Sequence, residues 1–292
     1  MTYQPGQWQR RANARQPPSM IGCTIENPAH GKLWQTEFVR LFATQTRAQS
    51  ATTTYCKYGG SIPKPTRFLH NFSHELELAS VCSARNPCRL RENNVHTDKF
   101  VDLTQRERNS IPSALIRQLH SACISSAKGV NASSILVVDV FSGWGSLNCV
   151  STPNETTMPT YVYSNDIAKG RRCDMDVDMS VFDIYYLVGM ALLKMVEWLD
   201  KQTDQLLVDQ AQVLQNHLQH PGRSLTQIAT DSKLYIWIHM SVPCTTYSTM
   251  SGATHRTAGS CLPISQLALN HDTMIEKLLV DTYNLIKPQL PI

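Results

Sequence analysis

The sequence predicts an α/β domain built around a mostly parallel sheet. Three short apolar runs, at 20–25, 135–140 and 234–240, have the length and near-continuous apolar character of strands buried on both faces. Longer segments between and after them carry apolar residues at helical spacing. Each of the three runs also stops at residues suited to chemistry: Glu26-Asn27-Pro28, Asp139 ahead of Gly143 and Gly145, and Pro243-Cys244. In open parallel sheets, ligands bind beyond the carboxyl ends of the strands.

The composition fits this class. Of 292 residues, 42% are apolar and only 17% charged, which excludes a disordered chain and supplies a sizeable core. No apolar run is long enough for a membrane span. The first residues are polar and basic and lack the apolar stretch of a secretory signal. Nine cysteines, an odd number scattered along the chain, argue against a disulfide scaffold and for a reducing, intracellular compartment. Charge is uneven. Residues 1–134 hold 17 Lys and Arg against 8 Asp and Glu, and residues 135–292 hold 10 against 15. A basic half suits a polyanionic partner, although solvated faces alone produce the same imbalance.

The elements follow in order. Residues 1–19, rich in Gln, Arg and Pro, read as a flexible basic tail. The run at 20–25 reads as a strand stopped by Pro28. Leu33, Trp34, Phe38, Leu41 and Phe42 set a helix over 33–46. Thr- and Tyr-rich 51–57 is a strand, Gly59-Gly60 with Pro63 and Pro65 a loop, and 66–70 another strand. Residues 71–102 are irregular and too long for a plain loop, which marks a functional insertion. A helix starts at Ile111, with Pro112 in its first turn. A Ser- and Gly-containing linker over 125–134 leads to the 135–140 strand. Residues 161–164 form the next strand, ending at Asn165-Asp166. The segment 181–219 is largely helical, 234–240 is a strand, and the last helix covers 271–286. The whole reads as one catalytic domain in two halves, 20–124 and 135–292.

Gly143 and Gly145 permit a tight turn and close backbone approach to a ligand. They form neither a GxGxxG fingerprint nor a P-loop, which disfavours pyrophosphate and nucleoside triphosphates. An acid at Asp166 suits ribose hydroxyls, so the pair suits a nucleoside cofactor without phosphates; a plain turn and a surface acid are the alternative. Cys244 after a proline is a nucleophile or a buried structural thiol. Glu26, partly desolvated at a sheet end, is a proton donor or a turn acid.

Together these segments resemble the DNA cytosine carbon-5 methyltransferases, most closely the small phage- and virus-type enzymes. Asp139-Val140-Phe141-Ser142-Gly143-Trp144-Gly145-Ser146 resembles the cofactor-binding loop, with Ser146 where glycine is commoner. Ser164-Asn165-Asp166-Ile167 resembles the segment with the ribose-binding acid. Ser241-Val242-Pro243-Cys244 resembles the Pro-Pro-Cys nucleophile loop, with Val242 in place of the first proline. Glu26-Asn27-Pro28 resembles the Glu-Asn dipeptide that holds the target base, and Lys64-Pro65-Thr66-Arg67 the segment with a supporting arginine. Arg108-x-x-Ile111-Pro112 resembles the final motif, a helix start that touches the cofactor. The family begins with the glycine loop and ends with the Ile-Pro helix. Here the Glu-Asn to Ile-Pro block comes first, so the resemblance implies a circularly permuted chain.

The resemblance implies a Rossmann-like S-adenosylmethionine-dependent methyltransferase fold, a mostly parallel sheet with an antiparallel edge strand. It implies methyl transfer from S-adenosyl-L-methionine to carbon 5 of a flipped-out cytosine in double-stranded DNA. Cys244, Glu26, Asn27 and Arg67 are then the catalytic set. Asp139, Phe141, Ser142, Gly143, Gly145, Ser146, Asp166, Ile167 and Pro243 hold the cofactor, with Asp174, Asp176 or Asp178 at its adenine. The irregular 71–102 segment becomes the target-recognition region, with Lys64, Arg85, Arg89, Arg91 and Lys99 on DNA. No metal is expected. Cys82, Cys88 and His96 give three zinc-type ligands at loose spacing, a fourth is not evident, and ordinary loop cysteines are the favoured reading. The protein is expected to act as a monomer without a membrane, in the cytoplasm of a bacterium or virus-infected cell, or in a nucleus. The competing readings are an inactive relative that binds DNA or cofactor, and a methyltransferase acting on RNA.

Overall fold

The strongest apolar runs become the middle of one six-stranded sheet. β1 (Ile21–Pro28) continues three residues past the apolar run, because Glu26, Asn27 and Pro28 pair with Phe68, Arg67 and Thr66. The strand thus runs on to the proline and ends there; as its last residue, Pro28 forgoes a single ladder donor. The 33–46 helix is shorter than its apolar spacing suggests: a 3-10 turn, Lys32–Gln35, precedes α1 (Glu37–Gln45). β2 (Gln49–Thr54) ends where the chain tightens into a 3-10 helix, Tyr55–Tyr58, closed by Gly59 at φ 84°. β3 (Pro65–His70) follows. Two-residue strands β4 (Arg91–Glu92) and β5 (Val95–His96) form a small separate hairpin.

α2 (Ser113–Gly129) runs five residues into the expected linker, leaving only 130–133 to reach β6 (Ser134–Asp139). β7 (Thr160–Ser164) comes next. The segment 181–219 is not one helix: α3 (Ile184–Leu199) and α4 (Gln205–Leu218) are separate, and Asp183 and Asp204 cap their N-termini. The short α5 (Leu225–Asp231) was not legible from spacing. β8 (Leu234–Ser241) and α6 (Gln266–Ile286) complete the fold. The computed structural model describes residues 19–92, 95–96, 104, 110–143, 145–151, 158–166, 173–176, 178–220, 222–247, 254–257 and 261–287. Residues 1–18 of the expected tail, residues 93–94 and 97–102 of the expected recognition segment with Lys99, Arg108 and Ile167 lie outside these residues.

The sheet order is β2-β3-β1-β8-β6-β7. β1, β8, β6 and β7 run parallel, and the antiparallel pairings are confined to the β2-β3-β1 side. Every residue of β6, and every residue of β8 but Ser241, is buried. Both sheet faces must therefore be covered, as parallel sheets require. α3 packs over β6 and β7, α5 lies against β8, and α6 against β1. Among the described residues no helix is long and apolar enough to cross a membrane.

Three imidazoles are sealed inside this fold. His239 on β8 meets Thr24 Oγ1 at 2.7 Å and Ser241 Oγ at 3.1 Å, and Trp237 Nε1 donates to the same Thr24 hydroxyl at 2.8 Å. Burial pushes His239 down to about 3, and His70 and His120 to about 4. These groups stay neutral when folded but charge readily when unfolded. Stability must therefore fall as pH drops below the ordinary value of 6.5, by up to about 1.4 kcal/mol per pH unit for each imidazole. Urea unfolding followed by circular dichroism should show the midpoint falling from about pH 7 to about pH 5, because the three imidazoles outweigh the buried Asp139 carboxyl, whose raised pKa acts in the opposite sense. A midpoint constant over that interval would contradict the buried, neutral assignment.

Candidate functional site

The carboxyl ends of β1, β8 and β6 lie side by side, and the sheet register decides which residues meet there. Glu26 is the parallel partner of Ser241. One step further, the Val242 amide donates to the Glu26 carbonyl at 3.2 Å, and Asn27 Nδ2 donates to the Val242 carbonyl at 2.9 Å. Asn27 therefore holds the loop that carries Pro243 and Cys244. The departure at Val242 has a physical use, because proline would lack the donor that reaches Glu26.

Glu26 is buried, and its Oε1 accepts a hydrogen bond from the Tyr55 hydroxyl at 3.1 Å. The half-buried Cys244 thiol lies within electrostatic reach of Glu26, Lys64 and Tyr55. Burial raises its pKa most, Lys64 opposes that rise, and the Glu26 carboxylate adds to it. Lys64 Nζ sits 4.9 Å from the centre of the Tyr55 ring. Lys64, expected on DNA, is thus a neighbour of the thiol. Arg67 pairs with Asn27 across β1–β3, and its guanidinium lies over Trp34 at 5.5 Å from the ring centre. Trp34 Nε1 in turn donates to the Pro28 carbonyl.

The glycine loop follows β6. Gly143 and Gly145 have φ of 58° and 66°, the left-handed region that glycine enters without strain. The Gly143 amide donates to Asp166 Oδ2 at 2.7 Å, and the Ser142 amide donates to the Asn165 carbonyl. The turn and the acid are therefore one unit. Ser146 Oγ accepts from the Ile111 amide at 3.1 Å, so the hydroxyl that replaces the commoner glycine ties the loop to the start of α2. Asp139 is fully buried, neither of its carboxyl oxygens has a hydrogen-bond partner among the described residues, and burial with the nearby Asp166 charge raises its pKa strongly.

A cleft of about 520 Å³ opens beyond these strand ends, within the range of small-ligand sites. Phe141, Asn165, Asp178, Pro243, Met274 and Lys277 line it. Among the three acids considered for an adenine contact, Asp178 lines this cleft. Asp174 instead accepts from the Ser164 amide and hydroxyl, and lines a separate opening beside β7; Asp176 is exposed.

The expected recognition residues divide. Arg85 and Arg89 are exposed, whereas the Arg91 side chain turns toward Cys82 and His96. Cys82, Cys88 and His96 do converge, and Cys56 joins them as a fourth group that spacing did not reveal. Tyr55 and the buried Arg256–Asp272 pair were also not foreseen. The Arg256 guanidinium reaches both Asp272 oxygens, at 2.6 and 3.0 Å, and donates to the Thr246 carbonyl. It stacks 4.1 Å from the Tyr247 ring centre, which secures the turn just after Cys244. No family model, curated protein or solved structure matches the chain.

Opposite charges beside one thiol make a signed test possible. Lys64→Gln should raise the Cys244 pKa further, and Glu26→Gln should lower it. Alkylation rates of the Cys244 peptide, followed by mass spectrometry across pH, should shift upward in the first variant and downward in the second. Coincident profiles would remove both residues from the thiol's surroundings.

Proposed function

We propose that the chain transfers a methyl group from S-adenosylmethionine to carbon 5 of cytosine in double-stranded DNA, and that it is a circularly permuted relative of the DNA cytosine carbon-5 methyltransferases. The observation that carries this reading is the meeting of Glu26 and Cys244, 218 positions apart in the chain, at adjacent strand ends beside the glycine loop. A nucleophilic thiol, a carboxyl group and a nucleoside-type loop on three neighbouring strands are the parts this reaction needs. Permutation is supported by the short 130–133 connection and by the Ile111–Ser146 hydrogen bond, which join the Ile-Pro helix directly to the first strand of the cofactor half.

The residues fit the cofactor. The cleft beyond the sheet has room for a nucleoside, and the buried Asp139 carboxyl beside the glycine turn has no hydrogen-bond partner among the described residues, so it can take a polar group of a ligand. Gly143, Gly145 and Asp166 would hold the ribose and amino-acid parts, and Phe141, Pro243 and Asp178 the adenine. S-adenosylmethionine would supply an electrophilic methyl group.

Cytosine carbon 5 is a poor nucleophile, and the protein's own residues remedy that. The Cys244 thiolate adds to carbon 6, which turns the carbon 5–carbon 4 side of the ring into an enamine. Glu26 hydrogen-bonds the ring nitrogen and the exocyclic amine, and gives the ring nitrogen a proton as negative charge develops there. Tyr55 fixes the orientation of the Glu26 carboxyl. Lys64 lowers the cost of forming the thiolate. After methylation a base removes the carbon-5 proton, and the thiolate leaves. A paired base hides the face that the thiol must approach, so the target has to leave the helix. Exposed Arg85 and Arg89 on the basic half suit phosphate contacts.

DNA containing 5-fluorocytosine tests the scheme, because fluorine at carbon 5 blocks the final proton removal. Incubation with S-adenosylmethionine should give a denaturant-resistant protein–DNA complex. Cys244→Ala should abolish it and Glu26→Gln should reduce its rate by about 10²-fold or more. No complex with the unaltered protein, or one that persists in Cys244→Ala, would overturn the reading. A complex formed on 5-fluorocytosine RNA in preference to DNA would reassign the substrate.

A further inference from the structure

The chain from 71 to 90 contains neither helix nor strand, yet it folds back against the 3-10 helix at Tyr55–Tyr58. Backbone ladders do not hold it there. Thr53 Oγ1 donates to the Ala79 carbonyl, the Ala79 amide donates to the Tyr58 hydroxyl, and the Cys82 amide to Thr54 Oγ1. At the centre of this junction, one ligand-type atom each from Cys56, Cys82, Cys88 and His96 lies within 4.8 Å of every other.

We infer that these four side chains bind one zinc ion as a closed, structural Cys3His site that clamps the 79–92 segment and β5 to the Tyr55–Tyr58 helix. The donor set is the one zinc favours, and four protein ligands leave no open position for catalysis. The spacing fits. A tetrahedral zinc with bonds of about 2.3 Å to sulfur and about 2.0–2.1 Å to nitrogen keeps a sulfur and a nitrogen about 3.6 Å apart. His96 Nε2 lies 3.7 Å from Cys82 Sγ and 3.2 Å from Cys88 Sγ. The surroundings fit as well. Three thiolates and a divalent ion leave one net negative charge, and the Arg91 side chain turns toward Cys82 to offset it. The Cys88 amide donates to Cys82 Sγ at 3.3 Å, the N–H to sulfur contact that steadies a bound thiolate. The ligands come from four separate places: the 3-10 helix, two points of the irregular segment, and β5. One ion thus does for this region what a hydrophobic core does elsewhere. Since Cys56 adjoins Tyr55, the clamp also anchors the residue that donates to Glu26.

The test uses the full chain, purified under reducing, oxygen-free conditions, with zinc measured by plasma mass spectrometry and with cobalt exchanged for zinc. About one zinc per chain is expected, together with a cobalt spectrum showing tetrahedral visible bands and strong thiolate-to-cobalt charge transfer. Cys56→Ser and His96→Ala should lose metal, and Cys149→Ser, outside the cluster, should keep it. Should Cys88→Ser fail to fold, Cys88→His keeps a ligand there, and its cobalt complex should show weaker charge transfer. Reduced, unaltered protein that binds no zinc in excess metal, or a cobalt complex without charge transfer, overturns the site. A disulfide within the cluster of reduced protein, or metal lost equally from Cys149→Ser, does the same.

Discussion

The parallel pairing of β1 with β8 is the contact on which the rest of the site depends. These strands come from opposite ends of the chain, and their register sets Glu26 opposite Ser241. A slip of one residue would turn every side chain of β1 to the other sheet face and separate the carboxyl group from the thiol loop. Two hydrogen bonds guard against it beyond the ladder: the Val242 amide to the Glu26 carbonyl, and Asn27 Nδ2 to the Val242 carbonyl. Within the sheet, Trp237, Thr24 and His239 form a buried polar chain across the same two strands, which leaves the register one well-satisfied solution.

Around that pairing, the chain spends buried polar groups where it needs fixed geometry. Tyr55 orients Glu26 from one side. The Arg256–Asp272 pair, with the guanidinium buried against Tyr247 and the carboxylate partly exposed, secures the turn after Cys244 from the other. Removing Asp272 would leave the buried guanidinium without its charge partner, which is destabilising. Cys244 itself remains half-buried, and that burial raises its pKa. Lys64 is the counterweight. Two residues of the adjoining loops fit this arrangement: Val242 keeps a donor that proline would lose, and Ser146 supplies an acceptor for Ile111.

Much of the fold was legible in the sequence, because its signals are local. The continuous apolar runs became β1, β6 and β8, helical spacing marked α1, Pro112 marked the start of α2, and the last helix, expected from 271, begins five residues earlier at Gln266. What was missed depends on partners distant in sequence. β1 outlasts its apolar run because β3 pairs with it; the division of the Val181–Gln219 stretch is the exception, a local cap at Asp204 that apolar spacing does not register. Glu26, Cys244 and the glycine loop could be picked out as chemistry at strand ends. Tyr55 could not, since a single tyrosine acquires meaning only when a 3-10 turn brings its hydroxyl to Glu26, and Lys64 was picked out for DNA rather than for its place beside the thiol. Cys56 is the sharpest case: 26 positions before Cys82, it has no motif spacing, and only the return of the 71–90 segment brings it to the other three ligands.

The proposed reaction is tested most directly by whether, and at which atom, DNA becomes methylated. DNA incubated with the protein and trideuteromethyl-labelled S-adenosylmethionine, then digested to nucleosides and analysed by mass spectrometry, reports it. The label should appear in 5-methyldeoxycytidine and vanish with Cys244→Ala. Label on a base nitrogen, or none above the Cys244→Ala background, would contradict the shared Glu26–Cys244 pocket as a site of carbon methylation.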